Sequence, residues 1–173
     1  MRITKDRAKL RSFWFMATLL EHFEGRFADL HRRSNGLIES CPAELLFERP
    51  RQLAHFPSHF SCGEYIIRSA AKVEMTFGGI TRRLWDDPFE WTLAEAMGSR
   101  ERIFTYLSEV EEMTSEGFRF IGDDSVLLRE IPAPTKLRPM IGVLLDSLCT
   151  AEHLQGRAYA LFQLLLDIPP PKA

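Results

Sequence analysis

The sequence predicts an all-α protein, specifically a four-helix bundle. Apolar residues recur at helical spacing in four separate segments. Alternating, strand-like stretches are few, and no internal repeat of about 20–50 residues is present. The 173 residues make a single domain, 1–173, long enough to bury a core. Hydrophobic residues at 45% and charged residues at 27% match a globular chain and not a disordered one.

The first helix is expected over about Thr4–Ser40. Leu10, Phe13, Ala17, Leu20, Phe27 and Leu30 recur at steps of three, four or seven, which is one helix face. Gly25 and Asn35-Gly36 weaken it, and Gly36 is the expected place for a bend or an early end. Cys41-Pro42-Ala-Glu-Leu-Leu reads as a short helical turn with Pro42 at its first position, closed by Glu48-Arg49-Pro50. A loop holding Pro50 and Pro57 leads to Ser61-Cys62-Gly63-Glu64. There the Ser61 and Glu64 side chains can each bond the other's free backbone N–H, as a capping box. The helix it opens carries Ile66, Ser69, Val73 and Phe77 on one stripe, and Gly78-Gly79 is expected to fray or bend its end.

Arg82–Trp91 is turn-rich and long, which predicts a crossover in place of a tight hairpin. Ser99 is the expected N-cap of the third helix, whose stripe is Ile103, Leu107, Val110 and Met113, with Gly117 as its end. Phe118–Ile131 reads as irregular or weakly extended. The fourth helix spans about Pro139–Asp167, with Ile141, Leu144, Leu148, Ala151, Ala158, Phe162 and Leu165 as apolar residues. Ile168 and the prolines after it stop the helix.

Charge and composition exclude several classes. Lys plus Arg is 22 against 24 Asp plus Glu, a net charge of -2, so nothing favours nucleic acid as a partner. Arg32-Arg33, Arg82-Arg83 and Arg100/Arg102 are scattered points and form no stripe. No stretch approaches the ~18 apolar residues of a membrane span. The apolar run Phe13–Leu20 is short and is followed by Glu21, His22 and Glu24, unlike a signal peptide. Cys41, Cys62 and Cys149 are odd in number and widely spaced. They are expected as small buried hydrophobes in a reducing cytoplasm.

Three stretches together resemble the DinB-like family of four-helix bundles. Cys41–Pro50 (CPAELLFERP) is similar to the family's link after helix 1. Ser61–Glu74 (SCGEYIIRSAAKVE) is similar to its capped second helix, and Cys149–Pro171 (CTAEHLQGRAYALFQLLLDIPPP) to its last helix. The resemblance implies an up-down-down-up bundle with a long crossover, commonly dimeric. It also implies one divalent metal held by three histidines, one on helix 2 and two on helix 4 spaced as His-x-x-x-His. Side chains four apart share a helix face and can reach one ion. Carried over with Gly156 as anchor, those positions are Ser69, Thr150 and Leu154, and none is a histidine. A hydroxyl is a poor zinc or nickel ligand and leucine is none. The expectation is a bundle without a metal cofactor, in which these three converge as the remnant of the site, either filled as core or open to a small, largely apolar ligand. The alternative is one divalent metal such as Zn or Ni held by Cys149 and His153, also four apart, in a metal-dependent hydrolase or a thiol-dependent S-transferase or isomerase. A third class is an interaction module acting through a dimer face.

Other constellations carry less. His55 and His59 are four apart but Pro57 lies between them, and His22 and His31 point away from each other on helix 1. Glu109, Glu111 and Glu112 read as a solvated helix face. Glu74 and Glu152 lack the histidine three residues on that di-iron bundles use. No Gly-x-Ser-x-Gly elbow or phosphate-binding glycine loop is present. A homodimer is expected, because Phe13, Trp14, Phe15, Met16, Leu19, Leu20 and Phe23 make the first helix apolar on more than one side.

Overall fold

Each helix begins where the chain supplies partners for the free N–H groups of a first turn. The computed structural model of the protein describes residues 18–49, 60–88, 98–166 and 171. Helix α1 (Leu19–Ser40) opens on Thr18, which forms a capping box with Glu21. Asp124, far along the chain, adds a second cap: its carboxylate accepts from the N–H groups of Leu19 at 3.0 Å and Leu20 at 2.8 Å. Helix α2 (Cys62–Arg82) opens on the expected box. Ser61 Oγ accepts from Glu64 N–H at 3.2 Å, and Glu64 Oε2 accepts from Ser61 N–H at 2.7 Å. Helix α3 (Arg100–Ile121) opens on Ser99, also as expected. Helix α4 (Met140–Leu166) is capped by backbone alone. Arg129 and Leu127 carbonyls accept from Met140 and Ile141.

Contacts along the helices give their directions. Cys62 on α2 reaches Ala158 on α4 and Ser69 reaches Ala151, so these two run antiparallel. Asp124, just past α3, caps the start of α1, so α1 and α3 are antiparallel. Arg26 pairs with Glu152, and seven residues further along both helices Tyr159 Oη donates to the Arg33 carbonyl, so α1 and α4 are parallel. The order is up-down-down-up, with α2 packed on α3 and α4, and α1 packed on the same two helices. Arg82, the last residue of α2, and Arg100, the first of α3, therefore lie at opposite ends of the bundle, as the expected crossover requires. The protein is all-α, a four-helix bundle.

Phe27, Phe77 and Phe118 tie α1, α2 and α3 together, with ring centroids 5.1–5.7 Å apart. The predicted stripes are buried at Leu20, Phe27 and Leu30, at Ile66, Ser69, Val73 and Phe77, and at Ile103, Leu107 and Val110. Among the described residues, no helix is long and apolar enough to cross a membrane.

Three glycine expectations are corrected. Helix α1 passes through Gly36 to Ser40. Helix α2 passes through Gly78-Gly79 to Arg82, and Gly79 is needed because a Cβ there would lie 2.4 Å from the Trp85 ring. Helix α3 passes through Gly117 and closes at Gly122, whose φ of 83° is one that glycine adopts without cost. The segment read as irregular is ordered: Phe118–Ile121 completes α3, and Asp124–Val126 is a 3-10 turn. Strands β1 (Glu130–Pro132) and β2 (Leu137–Pro139) then pair antiparallel with Ile131 opposite Arg138. The expected start of the first helix near Thr4 is corrected: Thr18 is extended and caps a helix that begins at Leu19. Residues 4–17, the Pro50 and Pro57 loop with His55 and His59, and the stop at Ile168 lie outside the described residues.

Candidate functional site

Small and polar residues on three buried stripes leave space between α1, α2 and α3. Ser34 on α1, with Ser69 and Ala70 on α2, stand where larger side chains would close the core. The result is a cleft of about 90 Å³. Its walls are mainly Phe27, Val73, Leu107, Val110 and Phe118. His31 on α1 and Glu111 on α3 lie at its solvent edge, with Glu24 one helix face up from His31.

His31 is the organised polar group of the cleft. Its Nε2 lies 2.9 Å from Glu111 Oε2 and 2.7 Å from the Asn35 side-chain amide. Nε2 can donate to the Glu111 carboxylate when it carries the proton or accept from the Asn35 Nδ2–H group when it does not, and it cannot do both at once. Burial holds the His31 pKa below its ordinary value, against the opposing pull of Glu111, so the ring is neutral at neutral pH. The sign of the resulting linkage follows. As pH falls below about 6.5, the unfolded chain takes up a proton that the folded ring resists, and stability drops toward the lower, folded pKa. The variant His31→Gln is expected to lose less melting temperature between pH 7.5 and 5.5 than the parent does. Equal losses would mean that His31 does not titrate as its burial requires.

The expected remnant site is corrected by one residue. Ser69 is buried as periodicity requires, but its hydroxyl donates to the Ala151 carbonyl at 2.8 Å. Thr150 is exposed and Leu154 is half-buried against the core, so the two do not converge on Ser69. The helix face that meets α1 and α2 carries Ala151 and Gln155, each one position later. Gln155 is 1% exposed, and its Nε2 donates to the Leu30 carbonyl at 2.7 Å and to Ser34 Oγ at 2.8 Å. A hydroxyl, a methyl group and an amide that is already bonded do not fit a divalent zinc or nickel ion.

Cys149 and His153 are both exposed on the outer face of α4. Between them Glu152 is taken by Arg26 and by Arg33 at 3.0 Å. Among the described residues, no three His, Cys, Asp or Glu side chains are grouped to hold a metal. The expectation of buried cysteines holds for Cys41 and Cys62 and is corrected for Cys149. Cys41 and Cys62 meet where α1 ends and α2 begins, and their hydrogen bond and burial push the Cys62 thiol far up, away from thiolate chemistry. Glu109 and Glu112 are exposed, as expected of a solvated face, while Glu111 is drawn to His31.

Sequence reasoning missed Gln155, Ser34 and the His31–Glu111 pair. The last had no sequence signal, since its members sit on different helices. No protein-family model matches the chain, and no curated protein matches it.

Proposed function

We propose that this protein is a DinB-like bundle without the family's metal site, and that it binds a small, largely apolar molecule in the cleft between α1, α2 and α3. The apolar cleft with one organised polar group at its edge carries this reading, because small-molecule sites are mostly apolar with few fixed polar groups. The up-down-down-up order supports the family resemblance. The chemistry at Ser69, Ala151 and Gln155 supports the loss of the metal. A hydrolase or thiol transferase built on Cys149 and His153 draws less support, since both face solvent and no third ligand joins them among the described residues.

Isopentanol is a neutral probe of suitable size. It is expected to shift backbone amide resonances around Ala70, Val110 and Ser34. Ala70→Leu fills the space and is expected to abolish those shifts while helical circular dichroism is retained. Unchanged resonances in the parent protein would remove the cleft as a binding site.

The chain is further proposed to act as a homodimer. Leu19 at 44% and Phe120 at 63% exposure lie at the bundle end where α1 begins and α3 finishes, which favours a covered apolar surface there. Phe13, Trp14, Phe15 and Met16, which first raised this expectation, lie outside the described residues. Light scattering at micromolar concentration is expected to give twice the chain mass of 20.0 kDa. The chain mass itself would rule the dimer out.

A further inference from the structure

The side chains lining the cleft are unbalanced in charge. Glu24 and Glu111 are carboxylates at its edge, and among the described residues no lysine or arginine lines it. Of the neighbouring arginines, Arg32 is paired with Asp29 at 2.9 Å, and Arg33 and Arg26 are both turned to Glu152. Burial keeps His31 neutral at neutral pH, so the ring does not cancel the charge on Glu111. The Glu111 side chain is 54% exposed and reaches water, while the walls below it are aliphatic and aromatic. An anionic ligand would meet two like charges with no counter-charge. A cation with an apolar body would bury that body against Val73, Leu107, Val110 and Phe118 and leave its charge at the carboxylates.

We propose that the cleft selects a small organic cation, a primary amine carried on a branched apolar body of about five carbons, with its ammonium against Glu111 and in the field of Glu24. The His31 side chain then has a second role. Its Nε2, 2.9 Å from Glu111 Oε2, keeps that carboxylate at the edge of the cleft.

This proposal rests on the cleft being a binding site, and the test separates the two claims. Isopentylamine, isopentanol and 4-methylpentanoate share one body and differ in charge. Each is titrated into the full chain at pH 7, with amide resonance shifts as the readout. The amine is expected to bind about threefold more tightly than the alcohol, as suits a partly exposed ion pair, and the acid more weakly than either. Glu111→Gln keeps the shape and removes the charge; it is expected to bring amine and alcohol to nearly equal affinity. Glu24→Gln is expected to have a smaller effect in the same direction. If the alcohol or the acid binds as tightly as the amine, the cleft stands and the charge selection is wrong. If none of the three perturbs the cleft, both claims fall. A preference for the amine that survives Glu111→Gln would also overturn the assignment.

Discussion

Alanine in place of Gly117 is expected to destabilise the protein by about 1–3 kcal/mol, the usual cost of overpacking a core. The direction is opposite to helix propensity, since Gly inside a helix normally costs about 1 kcal/mol relative to Ala. Here a Cβ would lie 2.2 Å from Phe77 Cδ1, 2.9 Å from Cε1 and 3.2 Å from Cγ. The Phe77 ring cannot step aside: it is fully buried, with Phe27 at 5.3 Å and Phe118 at 5.1 Å. Gly25 is the internal control, because a Cβ there meets nothing within 4 Å. Gly25→Ala is expected to stabilise by up to about 1 kcal/mol. Urea midpoints of the two variants should therefore move in opposite directions. Phe77→Leu made together with Gly117→Ala should recover part of the loss, because the leucine leaves room that the ring occupies. A Gly117→Ala protein as stable as the parent would show that the ring does not press on that helix.

A larger effect is expected at Gln155. Gln155→Glu is expected to cost about 3–5 kcal/mol near neutral pH, as other buried, unpaired charges do. The amide donates to the Leu30 carbonyl and to Ser34 Oγ from a site that is 1% exposed. An ionised carboxylate has no hydrogen to donate, so it would face the Leu30 carbonyl oxygen with its own lone pairs. Burial disfavours the charged form and raises the folded pKa above the ordinary glutamate value of about 4.3. At lower pH both states are protonated and the loss is smallest. As pH rises through the unfolded value, the unfolded chain ionises first and stability falls until the folded carboxyl ionises too. The gap between variant and parent should therefore widen from pH 4.5 to pH 7. Gln155→Met removes the hydrogen bonds without adding charge; it is expected to cost about 1–3 kcal/mol with little pH dependence. A gap for Gln155→Glu that does not change with pH would place that side chain in contact with water.

The helices and the starts of α2 and α3 were legible because they depend on near neighbours, whereas the Thr18 start of α1 was not read. Ser61 and Ser99 bond groups three residues away, and the apolar stripes of α2 and α3 follow from a period of 3.6 residues. The ends of α2 and α3 were not legible. Gly79 and Gly117 look like breakers in the sequence, yet each lies inside a helix because a ring from elsewhere, Trp85 or Phe77, occupies the space of its absent side chain. The cap that Asp124 gives α1 and the backbone caps of α4 likewise come from distant or irregular segments.

The candidate site divides along the same line. Its position on α2 was readable, since Ser69 sits on the buried stripe. On α4 the resemblance, anchored on Gly156, pointed to Thr150 and Leu154, whereas the residues that meet α2 and α1 are Ala151 and Gln155. A one-residue step turns a side chain by about 100° and carries it from the core to solvent. The sequence by itself determined four amphipathic helices and a near-neutral charge, both of which are sums or periods over local residues. Only the tertiary structure decided that His31 and Glu111 meet, that Gln155 seals α4 to α1, and that an apolar cleft stays open beneath them. Those facts depend on which faces of separate helices come together, and local periodicity carries no information about that pairing.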